Sequence, residues 1–280
     1  MAAAAGGFRL KHAVPVGGGD INEAWRFDGD DASWFVKLNV ADRLDMFEAE
    51  REALDELARA DAVRVPRPLC LGRTADHAFL VLEHLDLRSP DGASDVRLGR
   101  NLARQHRQCA SRFGWHRDNT IGTTPQANAW LHDWPTFWRE RRLLPQLELA
   151  AQNGHPELRD RAAPLLEHLD DFFAAYMPQP SLLHGDLWSG NYCRVDDMPV
   201  IFDPATYYGD READIAMTEL FGRFGGGFYD GYRAEWPLDA GYTTRRDLYN
   251  LYHILNHLNL FGGAYAGSAE RLIERLSALC

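Results

Sequence analysis

Residues His184 to Asn191 read His-Gly-Asp-Leu-Trp-Ser-Gly-Asn, and Asp203 follows at the end of the apolar run Pro-Val-Ile-Phe-Asp. Two carboxylates and one amide side chain, those of Asp186, Asn191 and Asp203, therefore lie close together in the chain. Carboxylate and amide oxygens are ligands that Mg²⁺ prefers, and Mg²⁺ held by one or two carboxylates keeps positions open for substrate phosphates. The stretch therefore predicts a site at which Mg²⁺ meets a phosphorylated substrate.

The same residues have the spacing of a phosphoryl-transfer site. In kinases a catalytic-loop Asp orients the attacking hydroxyl, an Asn just beyond it holds one Mg²⁺, and an Asp at a strand end holds Mg²⁺ again. On that template Asp186 is the predicted catalytic residue, Asn191 and Asp203 are the predicted metal ligands, and ATP is the phosphoryl donor. The alternative is an ordinary turn followed by a solvated strand end. It requires the spacing of His184, Asp186 and Asn191 and the position of Asp203 at a strand end to coincide by chance.

A strand in the first part of the chain supplies a candidate phosphate-binding lysine. Residues 32–40 alternate, so that Trp34 and Val36 lie on one face of the predicted strand and Lys37 lies on the other. A lone lysine on a strand is usually solvated. The helix that follows it favours the functional interpretation.

Residues 42–60 have the periodicity of a helix, and Glu50 lies in the middle of its apolar arc. A carboxylate among apolar neighbours needs a cationic partner, and Lys37 is the natural candidate. A strand Lys paired with a helix Glu is the kinase arrangement, in which the Lys reaches the α- and β-phosphates. The opposite side of the helix is predicted to face solvent and carries Glu48, Glu52, Asp55 and Glu56.

Upstream, Gly17, Gly18 and Gly19 form a glycine turn between two short apolar stretches, and we expect this turn to cover the phosphates. Three glycines also suit any tight hairpin, so the prediction rests on the position of the turn ahead of Lys37. The stretch lacks the Gly-x-x-x-x-Gly-Lys-Ser/Thr pattern, which argues against the P-loop NTPase class.

Composition limits the class of protein. The chain has 280 residues, 45% of them hydrophobic and 25% charged, which is ordinary globular usage with room for a large core. The net charge of −11 argues against a nucleic-acid partner. Four scattered cysteines suggest neither a zinc cluster nor a disulfide framework, and His253 and His257 lack a third zinc ligand. No apolar run suits a membrane span, so we expect a cytoplasmic protein.

The sequence pattern divides the chain into two unequal lobes. Residues 1–84 show short alternating runs and glycine turns, whereas residues 85–280 show mainly helical periodicity. We therefore predict an α+β, two-lobed, protein-kinase-like fold with a small antiparallel-sheet N-lobe and a larger, mainly helical C-lobe. Residues 80–85 join the lobes, and Glu83 and Leu85 are predicted to contact the nucleotide.

The residues after Asp203 argue against a typical protein kinase. No Ala-Pro-Glu activation segment is present, and only residues 204–211 precede a helical pattern that begins near Glu212. The chain instead resembles the branch of the kinase-like fold that phosphorylates small molecules, typified by aminoglycoside and choline phosphotransferases.

Within that branch, residues 183–191 resemble the signature of the fructosamine kinase (ketosamine-3-kinase) family, and Trp188 with Ser189 is the discriminating pair. Asp210 departs from the family pattern, because many relatives have His there. The resemblance spans nearly the whole chain, through residues 17–21, 35–37, 46–47 with Glu50, 119–122, 203–205 and 208–215.

The resemblance implies ATP- and Mg²⁺-dependent phosphorylation of the C3 hydroxyl of ketosamines, which form when glucose or ribose condenses with amines. The product 3-phosphate is unstable, so that small amines or proteins are deglycated. Trp188, Asn119 and Thr120 are the predicted contacts of a small-molecule or protein-linked ketosamine. His184 and Asp214 are predicted to support the catalytic loop, and a monomer and a homodimer are both allowed.

Three alternatives remain open. An aminoglycoside- or choline-type phosphotransferase would use the same ATP site on another alcohol, and the Trp188-Ser189 pair argues against it. A Mg²⁺-dependent hydrolase leaves the pairing of Lys37 with Glu50 unexplained. A nucleotide-binding pseudokinase would lack at least one of four residues that are all present: Lys37, Asp186, Asn191 and Asp203.

Overall fold

The computed structural model describes residues 9–17 and 21–280. The strands of its small lobe are β1 (His12–Val16), β2 (Glu23–Asp28), β3 (Ser33–Val40), β4 (Pro68–Arg73) and β5 (His77–Glu83). They form one sheet in the order β1-β2-β3-β5-β4, in which every neighbouring pair is antiparallel. This sheet confirms the predicted fold of the small lobe.

Helix α1 (Leu44–Arg59) packs on one face of the sheet. Phe47 and Leu54 of α1 are fully buried in one apolar cluster with Leu80 of β5. Val36 of β3 is buried in a separate cluster on the other face, with Phe79 and Val81. Because neighbouring residues of a strand point to opposite faces, Lys37 lies on the α1 side of β3.

The large lobe is mainly helical. Its helices are α2 (Gly92–His106), α3 (Trp134–Trp138), α4 (Leu144–Gln152), α5 (Glu157–Arg161), α6 (Ala163–Glu167), α7 (Glu212–Thr218), α8 (Gly226–Glu235), α9 (Tyr242–Phe261) and α10 (Ala266–Ser277). Three two-stranded ribbons complete it: β6 (Asn119–Ile121) with β7 (Thr124–Gln126), β8 (Ser181–Leu182) with β11 (Tyr208–Gly209), and β9 (Tyr192–Val195) with β10 (Met198–Ile201). In the part of the chain described, no helix is both long and apolar enough to cross a membrane.

A π-helical turn, Arg139–Leu143, joins α3 to α4 and directs one arginine into the core. The Arg142 guanidinium lies 4.0 Å from the ring centroid of Tyr207 and is fully buried. It donates hydrogen bonds to the Ala127 carbonyl and to Asn128 Oδ1, both at 2.7 Å. The turn thereby fixes the segment that follows the β6–β7 ribbon, next to the cleft between the lobes.

Helices α2 and α8 pack at backbone distance because glycines lie at their contact. A Cβ atom on Gly99 would lie 2.0 Å from the Phe228 carbonyl oxygen, and one on Gly231 would lie 2.3 Å from the Val96 carbonyl oxygen. These neighbours are backbone atoms, which cannot move aside as a flexible side chain could.

The prediction that Glu52 and Glu56 face solvent is wrong. The Glu52 carboxylate accepts hydrogen bonds from the side chains of His116 and Arg117, at 2.7 and 2.8 Å. The Glu56 carboxylate accepts hydrogen bonds from two aromatic side chains of the large lobe, Trp115 and Tyr208. Helical periodicity identifies an apolar arc but not the polar partners that a distant segment supplies, so α1 contacts the large lobe through carboxylates. The boundary at residues 84 and 85 stays a prediction.

We expect Gly99→Ala to destabilise the protein by about 2–3 kcal/mol, because the added methyl group separates α2 from α8. Urea unfolding of purified protein measures this change. Gly226→Ala is the matched control, since a Cβ there meets no atom within 4 Å and α8 gains a better helix former. Equal stability of the two variants would contradict the close contact.

Candidate active site

A cleft of about 1160 Å³ lies where the two lobes meet. Gly18 and Gly19 lie outside the described residues. Every other residue predicted to contact nucleotide, metal or acceptor lines this cleft: Gly17, Lys37, Glu50, Glu83, Leu85, Asn119, Thr120, Asp186, Trp188, Asn191 and Asp203. The two predicted supporting residues, His184 and Asp214, are buried behind it.

Lys37 joins both sides of the cleft. Its Nζ lies 2.6 Å from Glu50 Oε1 on α1 and 2.5 Å from Asp203 Oδ1 in the large lobe. Burial alone would lower the pKa of Lys37, but the carboxylates of Asp203 and Glu50 outweigh that effect and raise it above its ordinary value. Lys37 is therefore a buried, permanently charged ammonium group in the floor of the cleft.

Asp203 follows β10 in a backbone conformation that non-glycine residues rarely adopt. Its φ is +58°, and 48% of its side chain is exposed, in contrast to the nearly buried side chain of Lys37. Residues in such conformations persist where the surrounding structure holds them, and they concentrate at functional sites. The conformation aims one carboxylate into the cleft, beside Lys37.

Asp186 and Asn191 meet within the catalytic loop. Asn191 Nδ2 donates to the Asp186 backbone carbonyl at 2.9 Å and to Asp186 Oδ2 at 3.4 Å. Burial raises the pKa of Asp186 to about 7, and the negative charges of Asp203 and Asp214 act in the same direction. The side chain is therefore a carboxyl group poised to exchange a proton near neutral pH.

The donor set at Asn191 and Asp203 fits Mg²⁺. Both hydrogen bonds of the Asn191 side chain use its Nδ2, which leaves Oδ1 without a partner among the described residues. The Asp203 carboxylate is half exposed in the cleft. One amide oxygen and one carboxylate are hard ligands that leave most of the coordination sphere to phosphates and water. No group of three or more His, Cys, Asp or Glu side chains suited to a metal occurs among residues 9–17 and 21–280.

Asp214, near the start of α7, holds the catalytic loop by its backbone. Its carboxylate accepts hydrogen bonds from the amide groups of His184 and Gly185, at 2.7 and 2.8 Å, and from His106 Nε2 at 3.1 Å. Burial would raise the pKa of Asp214, but its hydrogen bond and charge interaction with His106 hold the pKa below its ordinary value.

His184 and Gly185 tie the loop to the segment around Asp203. His184 Nε2 donates to the Phe202 carbonyl at 3.0 Å, and burial lowers the pKa of His184, which keeps the ring neutral. Gly185 has a φ of +86°, and a Cβ there would lie 2.1 Å from the Ala205 carbonyl oxygen. The Phe202 and Ala205 amides also donate to carbonyl groups of the loop, at 3.2 and 2.9 Å, so the loop is bound to the backbone on both sides of Asp203.

The predicted nucleotide contacts at the end of β5 differ in what they can offer. The Glu83 carboxylate is engaged by the Arg67 backbone amide at 2.9 Å and by the Arg64 side chain at 3.4 Å. The Leu85 carbonyl accepts from the Leu87 amide, whereas the Leu85 amide has no hydrogen-bond partner among the described residues. The Leu85 amide is thus a free donor at this end of the cleft.

Trp188 and Ser189 shape the other end of the cleft. The Trp188 ring is 37% exposed and lies over Gly190, where a Cβ would come within 2.3 Å of the ring carbons. Ser189 Oγ donates to the Phe221 carbonyl at 2.8 Å. The pair therefore presents one aromatic face to the cleft and fastens the catalytic loop to the segment that carries Phe221.

Sequence reasoning missed three residues that line this end of the cleft, namely Phe221, Asn256 and His257. The His257 ring lies 4.3 Å from that of Phe221, and its Nδ1 donates to the His253 carbonyl at 2.8 Å. The spacing of His253 and His257 drew attention to this turn of α9, but for metal binding. With Thr120 and Trp188, these three residues define what we call the acceptor end.

Asn119 and Asp210 are held by protein groups. Asn119 Nδ2 donates to the Thr206 carbonyl at 2.9 Å, and its Oδ1 accepts from Gln126 and Asn128 at 2.8 Å each, so that little hydrogen-bonding capacity remains for an acceptor. Asp210 is fully buried among tyrosine hydroxyl groups and does not line the cleft. The departure from the family pattern at Asp210 therefore lies outside the acceptor end.

Comparison with known sequences identifies the relatives of the chain. A family model described as fructosamine kinase matches residues 2–278. A probable ketoamine kinase of Synechocystis sp. is 45% identical over 270 residues, which cover 96% of this chain and 91% of that protein. A chloroplastic protein-ribulosamine 3-kinase of Arabidopsis thaliana is 42% identical over 264 residues, which cover 92% of this chain and 80% of that protein.

Solved structures agree with these relatives. A crystal structure assigned to fructosamine-3-kinase from Haemophilus somnus superposes with a TM-score of 0.88 at 31% identity, covering 96% of this chain and 92% of that one. An aminoglycoside phosphotransferase in a ternary complex with ADP and hygromycin B has a TM-score of 0.64 at 15% identity, covering 96% and 94%, which shows a shared fold alone. The two-lobed, protein-kinase-like fold is confirmed.

We expect Asp186→Asn to stabilise the metal- and nucleotide-free protein at pH 8 by about 2–4 kcal/mol more than at pH 4. The folded-state pKa of Asp186 is raised from 3.8 to about 7, so the folded wild type loses stability as pH rises through that range, and the amide variant does not. Urea unfolding with EDTA at both values measures the difference. Asp230→Asn, exposed on α8, is the control. A stability difference independent of pH would contradict the raised pKa.

Proposed function

Because this chain belongs to the fructosamine kinase family, we propose that it transfers the γ-phosphoryl group of ATP to the C3 hydroxyl of ketosamines. Family membership makes the protein an ATP-dependent phosphotransferase with an alcohol acceptor. The observation that carries the proposal is the meeting of Lys37, bound to Glu50 and Asp203, with Asp186 in one cleft. Fructosamines and ribulosamines are the acceptors that we propose.

At the nucleotide end, Lys37 binds the α- and β-phosphates while Glu50 keeps it oriented. The predicted glycine stretch is proposed to cover the phosphates; of its three residues only Gly17 lies among the described residues, and it lines the cleft. The unpaired amide of Leu85 and the backbone of Glu83 contact the base at the junction of the lobes, since the Glu83 carboxylate is already engaged.

Asn191 Oδ1 and the Asp203 carboxylate hold Mg²⁺ in this proposal. When bound, the ion offsets the negative charge of the phosphates and orients them. Asp203 pairs with Lys37, so the residues that would hold the ion lie beside the ammonium group that binds the phosphates. Because the cleft also holds Asp186, an uncompensated cluster of carboxylates would otherwise repel ATP.

Asp186 orients the C3 hydroxyl and receives its proton. Oδ1 of Asp186 has no hydrogen-bond partner among the described residues and is the atom that accepts the proton, while Asn191 holds Oδ2. A loose phosphoryl-transfer transition state needs a well-placed hydroxyl more than an early, strong base. A pKa of about 7 suits a group that takes up this proton late.

Trp188 stacks its exposed face on the apolar face of the acceptor sugar, beside Asp186. The 3-phosphate of a ketosamine is unstable, so transfer leads to release of the amine. We therefore propose a deglycation role on free or protein-linked adducts, in the cytoplasm.

Purified protein with Mg-ATP should phosphorylate free fructosamines and ribulosamines at C3, and should leave aminoglycosides and choline unmodified. Release of ADP and NMR of the phosphorylated product measure both the rate and the position. Asp186→Ala should abolish turnover while binding of ATP is kept. Turnover of aminoglycosides or choline alone, or turnover without dependence on Asp186, would overturn the proposed function.

We expect Trp188→Ala to raise the Michaelis constant of the ketosamine by about 10-fold and that of ATP by less than twofold, because only the acceptor loses its stacking surface. Steady-state kinetics with each substrate varied in turn measures the two constants. Trp188→Phe is the matched variant, since it keeps an aromatic face. An equal rise of both constants would remove the stacking role.

A further inference from the structure

Four amide side chains form a continuous hydrogen-bonded chain from the surface of the large lobe to the acceptor end. Asn153 Nδ2 donates to Asn259 Oδ1 at 3.1 Å, and Asn259 Nδ2 donates to Gln146 Oε1 at 2.8 Å. Gln146 Nε2 in turn donates to Asn256 Oδ1 at 3.1 Å. We call these four residues the amide chain. The NH₂ group of each of the first three members donates a hydrogen bond to the side-chain oxygen of the next, so the chain has one direction.

Backbone carbonyl groups fix this direction. Asn259 Nδ2 donates to the backbone oxygen of Gln146 at 3.0 Å as well as to its side-chain oxygen. A backbone carbonyl can only accept a hydrogen bond, so the NH₂ group of Asn259 must face Gln146. The side-chain oxygen of Gln146 is then turned to Asn259 and its NH₂ group to Asn256, which forces Oδ1 of Asn256 toward Gln146.

The last donor of the amide chain has no protein partner. Asn256 is 2% exposed and lines the cleft, and its Nδ2 has no hydrogen bond to any residue in 9–17 or 21–280. A donor on a nearly buried side chain that has no protein partner and reaches the surface of a cleft is suited to a ligand. The Asn256 side chain cannot rotate to pair its NH₂ group with Gln146, because Gln146 Nε2 is a donor and requires Oδ1 of Asn256 as its acceptor.

The neighbours of Asn256 place its NH₂ group at the acceptor end. The ring of the next residue, His257, packs at a tilt against that of Phe221, whose backbone carbonyl accepts a hydrogen bond from Ser189 of the catalytic loop. At the acceptor end that the structure describes, no Lys or Arg lines the cleft. Asn256 is therefore a neutral, fixed donor in a largely aromatic environment close to the loop that carries Asp186.

We propose that Asn256 Nδ2 donates a hydrogen bond to a hydroxyl oxygen of the acceptor sugar other than the C3 hydroxyl, and that Gln146 and Asn259 are the residues that position it. This inference rests on the proposed function. A sugar hydroxyl can accept such a bond, whereas the protonated amine of a ketosamine, itself a donor, cannot. The fixed donor thus orients the acceptor so that the sugar hydroxyls, and not the amine, meet Asn256.

Steady-state kinetics of two Asn256 variants tests the contact. Asn256→Asp keeps the oxygen toward Gln146 and replaces the donor by an acceptor, and Asn256→Ala removes both groups. Each should raise the Michaelis constant of the ketosamine by about 10- to 100-fold, with that of ATP changed by less than twofold. Asn153→Asp is the matched control, because it makes the same chemical change at the exposed end, where water can replace the donor. Its constants should match those of the wild type.

Deoxy substrates separate a direct contact from a structural effect. The test uses fructosamines that each lack one hydroxyl. With the wild type, one of these analogues should have a kcat/KM about 10-fold lower than that of the complete fructosamine. With Asn256→Ala, that analogue and the complete fructosamine should have the same kcat/KM. Gln146→Glu should give the same loss of discrimination, because a carboxylate next to Asn256 turns the NH₂ group of Asn256 away from the cleft.

The outcomes distinguish this inference from the proposed function. A wild type that phosphorylates no ketosamine would overturn both. A wild type that is active on ketosamines, with an unchanged acceptor constant in either Asn256 variant, would overturn the contact alone. The contact would also be overturned by an equal rise of the Michaelis constants of ketosamine and ATP. The same holds if Asn256→Ala changes the effect of removing none of the hydroxyl groups.

Discussion

The buried ammonium group of Lys37 is the constraint on which the arrangement of the cleft depends. Its two carboxylate partners come from different parts of the fold, Glu50 from α1 and Asp203 from the segment after β10. A buried charge that loses a partner costs about 3–5 kcal/mol, so neither element can move away from Lys37 freely. The same ion pairs that hold the lobes in register therefore set the distance between the phosphate-binding and metal-binding groups.

The site around Lys37 carries more carboxylates than cations, and the protein compensates the negative charge of each carboxylate differently. Asp214 is compensated by backbone amides and His106, which allows it to remain charged while fully buried. Asp186 lacks such compensation, and its pKa rises to about 7 for that reason. The difference separates a supporting carboxylate from one that can exchange a proton, although Asp214 is hydrogen-bonded to the residues that directly precede Asp186.

The sequence was sufficient to predict contacts that follow from the hydrophobic periodicity of a single helix or strand. Glu50 was found because it interrupts an apolar arc, and the pairing with Lys37 followed from the cost of burying it. Glu52 and Glu56 were misplaced because their partners come from the large lobe, at sequence separations that no local pattern spans. Asn256 was missed for a related reason, since it is one of three asparagines in α9 and nothing distinguishes it until its partners are known. The roles of the individual site residues stay predictions.

Hydrogen-bond direction is a property of a network and not of a residue type. An asparagine offers a donor and an acceptor of nearly the same shape, and nothing in the sequence tells which one faces the cleft. In this protein the backbone carbonyl of Gln146 fixes the orientation of the Asn259 amide. The hydrogen bonds that follow then fix the orientation of the Gln146 and Asn256 amides. Ser189 fastens the catalytic loop to the acceptor end through the Phe221 backbone, next to Trp188 in the chain. Specificity for a sugar can therefore depend on residues that never touch it, because they determine which polar group it meets.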